Sequence, residues 1–486
     1  MAVSQAWFQN WQPPTSLLTE SQPHHVQFFD NQLKKPLSQG RSTNVLSILP
    51  YVLSMGIAVP DTNIKTPYEQ TQTQNVLERT GPFKTHYFWK SVDFQFPADY
   101  LRESAILSGQ YVQENNLPLG IETHQNRIFV SFPKWKDGIP CTLATLPKVS
   151  NEASPLFVPY PSWEWHNSDS CDSLVSVYRM QVDDCNRLWV LDSGQINVSV
   201  KPEQVCPPKI VVFDLNTDKA ILRYALPDEF IKQDSLYSNI AVDVHQNQED
   251  ACANAYAYIA DVWRFGLVVY SLKENRSWRV TDHLFYPDPL ASAYKLHGLD
   301  FEWTDGIFSL ALSPVIGDSQ DRYLYFHPMS SFREFYMKTS IIKNETAWLD
   351  SKRTIKLLGE SRGKNGHASS SAMNKNGIMF FNLVSRDAVG CWDSRKPYKR
   401  SNLGILAQSN ISLIFPNDLR LDKERRQSVW VISNRLPFFL YSELDKNDYN
   451  FRIMSAYVDE AISGTICDPN YADDDTFDVI KNGNDY

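Results

Sequence analysis

Six segments of this chain follow one plan: a short strand, a polar turn, a hydrophobic strand, a loop, and a third strand. They begin at Leu119, Tyr178, Ser238, His297, Ala368 and Asn417, spaced by 59, 60, 59, 71 and 49 residues. Examples are LGIETHQNRIFVSFP in the first, HGLDFEWTDGIFSLALSP in the fourth and ASSSAMNKNGIMFFNLV in the fifth. Even spacing with turn residues inside each unit is the pattern of propeller blades. One blade cannot bury both faces of its sheet, so six must stack and close into a ring. The expectation is an all-β, six-bladed β-propeller over residues 86–467. His86–Phe96 alternates like a strand and is expected to latch the ring as an outer strand of the last blade. The 13 Trp and 23 Tyr suit strands. A β-sandwich would not explain the sixfold repeat.

The ends read differently. Residues 44–60, NVLSILPYVLSMGIAVP, form a signal-like apolar run, with small residues at Gly56-Ile57-Ala58 for cleavage. The run is too short to span a membrane. This divides the chain into a leader at 1–58 with its signal-like segment at 44–58, a linker at 59–85, the propeller, and an acidic tail at 468–486. The alternative for the run is a buried strand of a small N-terminal extension. A secreted chain starting near Val59 is expected, with sequons at Asn197, Asn275, Asn344 and Asn410 as glycosylation sites. The net charge is -9 with no basic stripe. That argues against a nucleic-acid partner.

None of the seven cysteines forms a CxxC pair, which argues against a zinc site or a thioredoxin motif. In a propeller blade the turn after the first strand lies on the bottom face. The loop after the second strand and the link between blades lie on top. Cys185 and Cys252 fall in bottom turns of adjacent blades, and Cys171 and Cys206 in top connections of one blade. Proximity pairs Cys185 with Cys252 and Cys171 with Cys206.

DCNRLWVLDSG at 184–194, CPPKIVVFDL, YIADVWRFGLVVY, HGLDFEW and the Gly-Cys-Trp at 390–392 closely resemble the insect yellow / major royal jelly protein family. The likeness runs from about Phe88 to Cys467. It implies a secreted six-bladed propeller linked to pigmentation and cuticle melanin. It further implies one of three roles: dopachrome conversion, binding of biogenic amines, or a food or structural role. A leader of 58 residues departs from the family's usual short signal peptide.

First strands line a propeller's channel, so their opening residues converge at its top. The repeat alignment puts Leu119, Tyr178, Ser238, His297, Ala368 and Asn417 in one ring, and Gly120, Arg179, Asn239, Gly298, Ser369 and Asp418 in the next. Asp192, Asp261, Asn382 and Ser433 end the second strands. The expected mouth is polar, over an apolar core, and is the default site. His297 would be its base near neutral pH and Arg179 the cation for a substrate carboxylate. Asn382, Tyr178, Asn239, Ser369, Asn417 and Asp418 would bind a small aromatic ligand: a catechol, an indole or a biogenic amine. Asn382 stands out as an amide ending the hydrophobic strand FFNLV. Each has a structural alternative: Arg179 can pair with Asp418, His297 can cap its loop, His367 reads as a surface turn residue, and Asp192 and Asp261 can bind turn amides. No GxSxG, HExxH or Walker motif is present. No cofactor is expected. A metal lactonase built on Asn239, Asn417 and Asp418 is the lesser alternative, because Leu119 and Ala368 occupy ring positions where ligands would be needed.

Overall fold

The computed structural model describes residues 78–471, apart from 167–169, 233, 245–249, 318–320 and 351–353. The expected leader, its cleavage site and most of the acidic tail lie outside the described residues. The chain folds as a six-bladed β-propeller. The innermost strands are Ile121–His124, Val177–Val182, Tyr237–Asp243, Ile307–Leu312, Ala368–Met373 and Pro416–Leu421. Each blade adds antiparallel strands outward. Lys84–Trp89 pairs with Phe451–Tyr457 as the outer strand of blade six, so the N-terminal part closes the ring. Glu78–Arg79, inside the expected linker, pairs with Gln408 and Ser409 on blade five.

Burial explains why these segments become strands. Second strands such as Arg187–Asp192 and Ser428–Ser433 are buried at every residue, because a neighbouring blade covers each face. Outer strands alternate, as Lys219–Ala225 does, because one face meets solvent. The apolar side chains divide into one cluster per blade junction. Phe129, Val177 and Val211 fill the first, for example, and Phe380, Leu419 and Val431 the fifth. The cluster between blades six and one, with Ile121, Val130, Ile432 and Ile453, continues into the upper mouth.

Polar side chains staple the inner strands. Ser131 Oγ donates to the Tyr178 carbonyl at 2.6 Å, and the Val242 amide donates to Gln181 at 2.8 Å. Asn239 Nδ2 donates to the Phe308 carbonyl at 2.9 Å, and Ser309 and Ser371 share a hydroxyl bond at 2.5 Å. Ser370 Oγ donates to Asp418 at 2.6 Å, and the Ile121 amide donates to Asp418 at 2.9 Å. Each of the six junctions is thus crossed beside the channel. Gly120 is fixed by the same crowding: a Cβ there would lie 2.6 Å from the Tyr178 carbonyl oxygen.

Three disulfides close between Cys171 and Cys206, Cys185 and Cys252, and Cys391 and Cys467. The second joins the bottom turns of blades two and three. Cys141 is a buried free thiol. Among the described residues no helix is long and apolar enough to cross a membrane.

Candidate functional site

The register of the inner strands revises the expected rings. In blade four, His297 is not on the channel strand. Ala293–Leu296 and Leu299–Glu302 form a separate hairpin, joined by His297 and Gly298 with φ of 49° and 85°. Two positive φ values in a two-residue loop are the primed-turn geometry of tight hairpins. The inner strand follows at Ile307, with Phe308 and Ser309 in the ring positions given to His297 and Gly298. In blade five the pairing shift between Ala368 and Ser371 matches the one between Val177 and Met180 in blade two, so the ring residues are Ser369 and Ser370.

The second ring seals the channel. Arg179 and Asp418 lie 3.0 Å apart with both side chains fully buried. Arg179 Nη2 also donates to Asn417 Oδ1 at 2.7 Å, and Arg420 Nη2 donates to Asn239 Oδ1 at 3.2 Å. Desolvation pushes the Arg179 guanidinium down to about 10, against the pull of Asp418. Arg179 is thus paired with Asp418 and shielded from solvent, as its structural alternative expects. The oxygens of Asn239, Asn417 and Asp418 all face guanidinium groups, an arrangement that repels a metal cation.

Above this plug the mouth is aromatic rather than polar. The Trp135 indole N–H donates to the Tyr178 hydroxyl, and Trp135 packs 6.3 Å from Phe439 between ring centroids. From the other side the 293–302 hairpin brings Tyr294 onto Phe301 at 5.0 Å and onto His367 at 3.8 Å. Trp303 meets Tyr294 at 5.3 Å and donates to the Tyr441 hydroxyl at 2.5 Å. Asp305 enters this collar just before blade four. Half-buried, it accepts the Trp263 indole N–H at 3.1 Å, and desolvation by the surrounding rings pushes its carboxyl up to about 6. The charge of Asp305 reaches the hydroxyls of Tyr178, Tyr294 and Tyr441.

The sequence model of a family described as Major royal jelly protein matches residues 175–467. The dopaminechrome tautomerase of Drosophila melanogaster is 47% identical over 410 residues, covering 82% of this chain and 87% of that protein. The chain belongs to the major royal jelly protein family. Protein yellow of Drosophila yakuba and of Drosophila melanogaster are each 42% identical to it over 386 residues, or 79% of this chain and 70% of theirs.

In this royal-jelly-family propeller the remaining expected residues separate. Tyr178 and Ser369 spend their hydroxyls inside the protein, on Trp135 and on the Pro416 carbonyl. His297 Nε2 donates to Asp387 at 2.7 Å, tying the hairpin to the upper turn of blade five. His367 is 1% exposed rather than on the surface. Its Nε2 donates to the Ala291 carbonyl at 2.9 Å, and desolvation lowers its pKa to about 4. Asp192 accepts the Val175 and Ser176 amides, and Asp261 accepts the Leu236 amide. Asn382 is fully buried, and neither its amide nitrogen nor its oxygen has a hydrogen-bond partner among the described residues. Asn275 and Asn344 are exposed, while Asn197 and Asn410 are half-buried. Sequence reading missed Asp305 and the aromatic collar. The available signal was His-Gly between the alternating runs AYKL and LDFE, which marks a hairpin rather than the start of a blade.

Proposed function

We propose that this chain is a secreted protein of the melanin pathway that tautomerises an aminochrome at the upper mouth. The observation that carries the reading is Asp305, a carboxyl raised to about 6 inside a collar of Trp263, Tyr294, Trp303 and Tyr441. A carboxyl with that pKa is ionised at neutral pH yet still basic enough to take a proton from carbon. Flat aromatic walls suit a bicyclic indoline. Kinship with the dopaminechrome tautomerase supports the same chemistry. Dopaminechrome has no carboxylate, so a buried Arg179 is no obstacle. The isomerisation moves two protons from the saturated carbons of the five-membered ring to the two quinone oxygens. Electrons are conserved, and no cofactor enters. Asp305 takes a ring C–H proton, and the collar orients the ring. His297, through Asp387, holds the hairpin in place. The three disulfides fit an oxidising, extracellular setting.

The test is the decay of dopaminechrome absorbance with the purified chain, alongside Asp305→Asn. Turnover by wild type and its loss in the variant support the reading. No wild-type turnover above solvent overturns it. One observation favours a second reading, a non-catalytic binder of an aromatic amine. A buried amide with no partner is costly, and a ligand that bonds to Asn382 would remove the cost.

A further inference from the structure

The channel has a lower end that the chemistry at the upper mouth does not use. Below the Arg179–Asp418 plug, the C-terminal ends of the inner strands surround a cavity of about 140 Å³. A cavity of about 150 Å³ is known to hold one benzene ring. Val244, Leu312, Met373 and Leu421 give it an apolar wall, and Arg420 and Glu122 a polar one.

The charges around it do not balance. Arg420 is 6% exposed, and its Nε has no hydrogen-bond partner among the described residues. The nearest carboxylate, Asp418, lies 3.8 Å away and is already held at 3.0 Å by Arg179. Two buried guanidiniums therefore share one carboxylate. Glu122 supplies the second only in part: the Arg420 charge pulls its carboxyl down, but burial outweighs that pull. Its oxygens accept the Thr123 and Val182 amides, and burial pushes its carboxyl up to about 7. The other cations lining the cavity are matched: Arg322 with Asp243 at 3.1 Å, and Lys423 with Asp184 at 2.8 Å. Arg420 is left facing a ring-sized space with apolar residues on one side of it, a combination that suits an aromatic or alicyclic acid.

We propose that the lower mouth is a second binding site, for a small carboxylic acid of one-ring size, with its carboxylate on Arg420 and its ring against Leu312 and Met373. The site is independent of the aminochrome reading. The test is calorimetry of the full chain with benzoate and with its neutral analogue benzamide. Benzoate should bind, and benzamide should bind about tenfold more weakly or worse, because it cannot make the charge-assisted bond. Leu312→Trp, which fills the cavity, should abolish benzoate binding while dopaminechrome turnover at the upper mouth stays as in wild type. Arg420→Gln should weaken benzoate about tenfold or more. Arg420 also holds Asn239, so Leu312→Trp remains the deciding variant if Arg420→Gln fails to fold. No benzoate binding, equal affinity for benzamide, or unchanged binding in Leu312→Trp would each overturn the proposal.

Discussion

The Arg179 guanidinium sits 3.0 Å from the Asp418 carboxylate, with neither side chain exposed, and the pair joins blade two to blade six inside the channel. Asp418 also accepts the Ile121 amide and the Ser370 hydroxyl, so four blades meet on one carboxylate and its partner. The pair closes the channel at this depth and leaves an upper and a lower mouth.

Removing one member of that pair leaves a buried charge unmatched. Arg179→Met should cost about 3–5 kcal/mol in urea unfolding. Adding Asp418→Asn should return only part of the loss, because Arg420, 3.8 Å from that carboxylate, then loses its own counter-charge. A single variant as stable as wild type would show that the pair does not hold the ring together.

Asp305→Asn should lower dopaminechrome turnover by about 10²–10⁴-fold, the usual worth of a positioned base. It should also change stability, and the sign follows from the raised pKa. The folded carboxyl titrates at about 6 and the unfolded one near the ordinary value of 3.8. Between those values the unfolded state ionises first, so folding loses stability as pH rises, and the full penalty applies above 6. The Asn variant should therefore melt higher than wild type at pH 7.5 and with little difference at pH 3.5. A variant that melts lower at pH 7.5 would contradict the desolvation account.

His297→Ala should act differently. The His297–Asp387 bond at 2.7 Å ties down the hairpin that carries Tyr294 and Phe301. Its loss should raise KM about 10- to 150-fold, the worth of one hydrogen bond to a charged group, with kcat nearly unchanged. A large fall in kcat with a flattened pH profile would instead make His297 the base.

Asn382→Ala should weaken dopamine binding by about 1–3 kcal/mol if the buried amide serves an amine ligand. Calorimetry decides this, and unchanged affinity would remove Asn382 from the site.

Non-reducing peptide maps should show Cys185 linked to Cys252 over a separation of 67 residues. A loop of that size is worth about 4 kcal/mol through the unfolded chain. Cys141 should be the one reactive thiol, and only in denaturant, because burial raises its pKa and keeps it protonated. A thiol that labels in the native protein would contradict its burial.

Period, alternation and the two faces of a blade were enough to place the six blades, the strand that closes them and the pairing of Cys185 with Cys252. Residues near the plug were legible for the same reason: Arg179 and Asp418 share a ring by simple counting. Counting failed where a local insertion broke the period. The hairpin at 293–302 displaced His297 from the channel, and in blade five the count began one residue early, at Ala368 instead of Ser369. The aromatic character of the upper mouth, by contrast, arises from packing between distant loops. Its rings come from Trp135, Trp263, Tyr294, Trp303 and Tyr441, on loops far apart in sequence that carry no shared period. The raised pKa of Asp305 belongs there too, because it comes from desolvation by residues distant in sequence, with the Trp263 hydrogen bond opposing it.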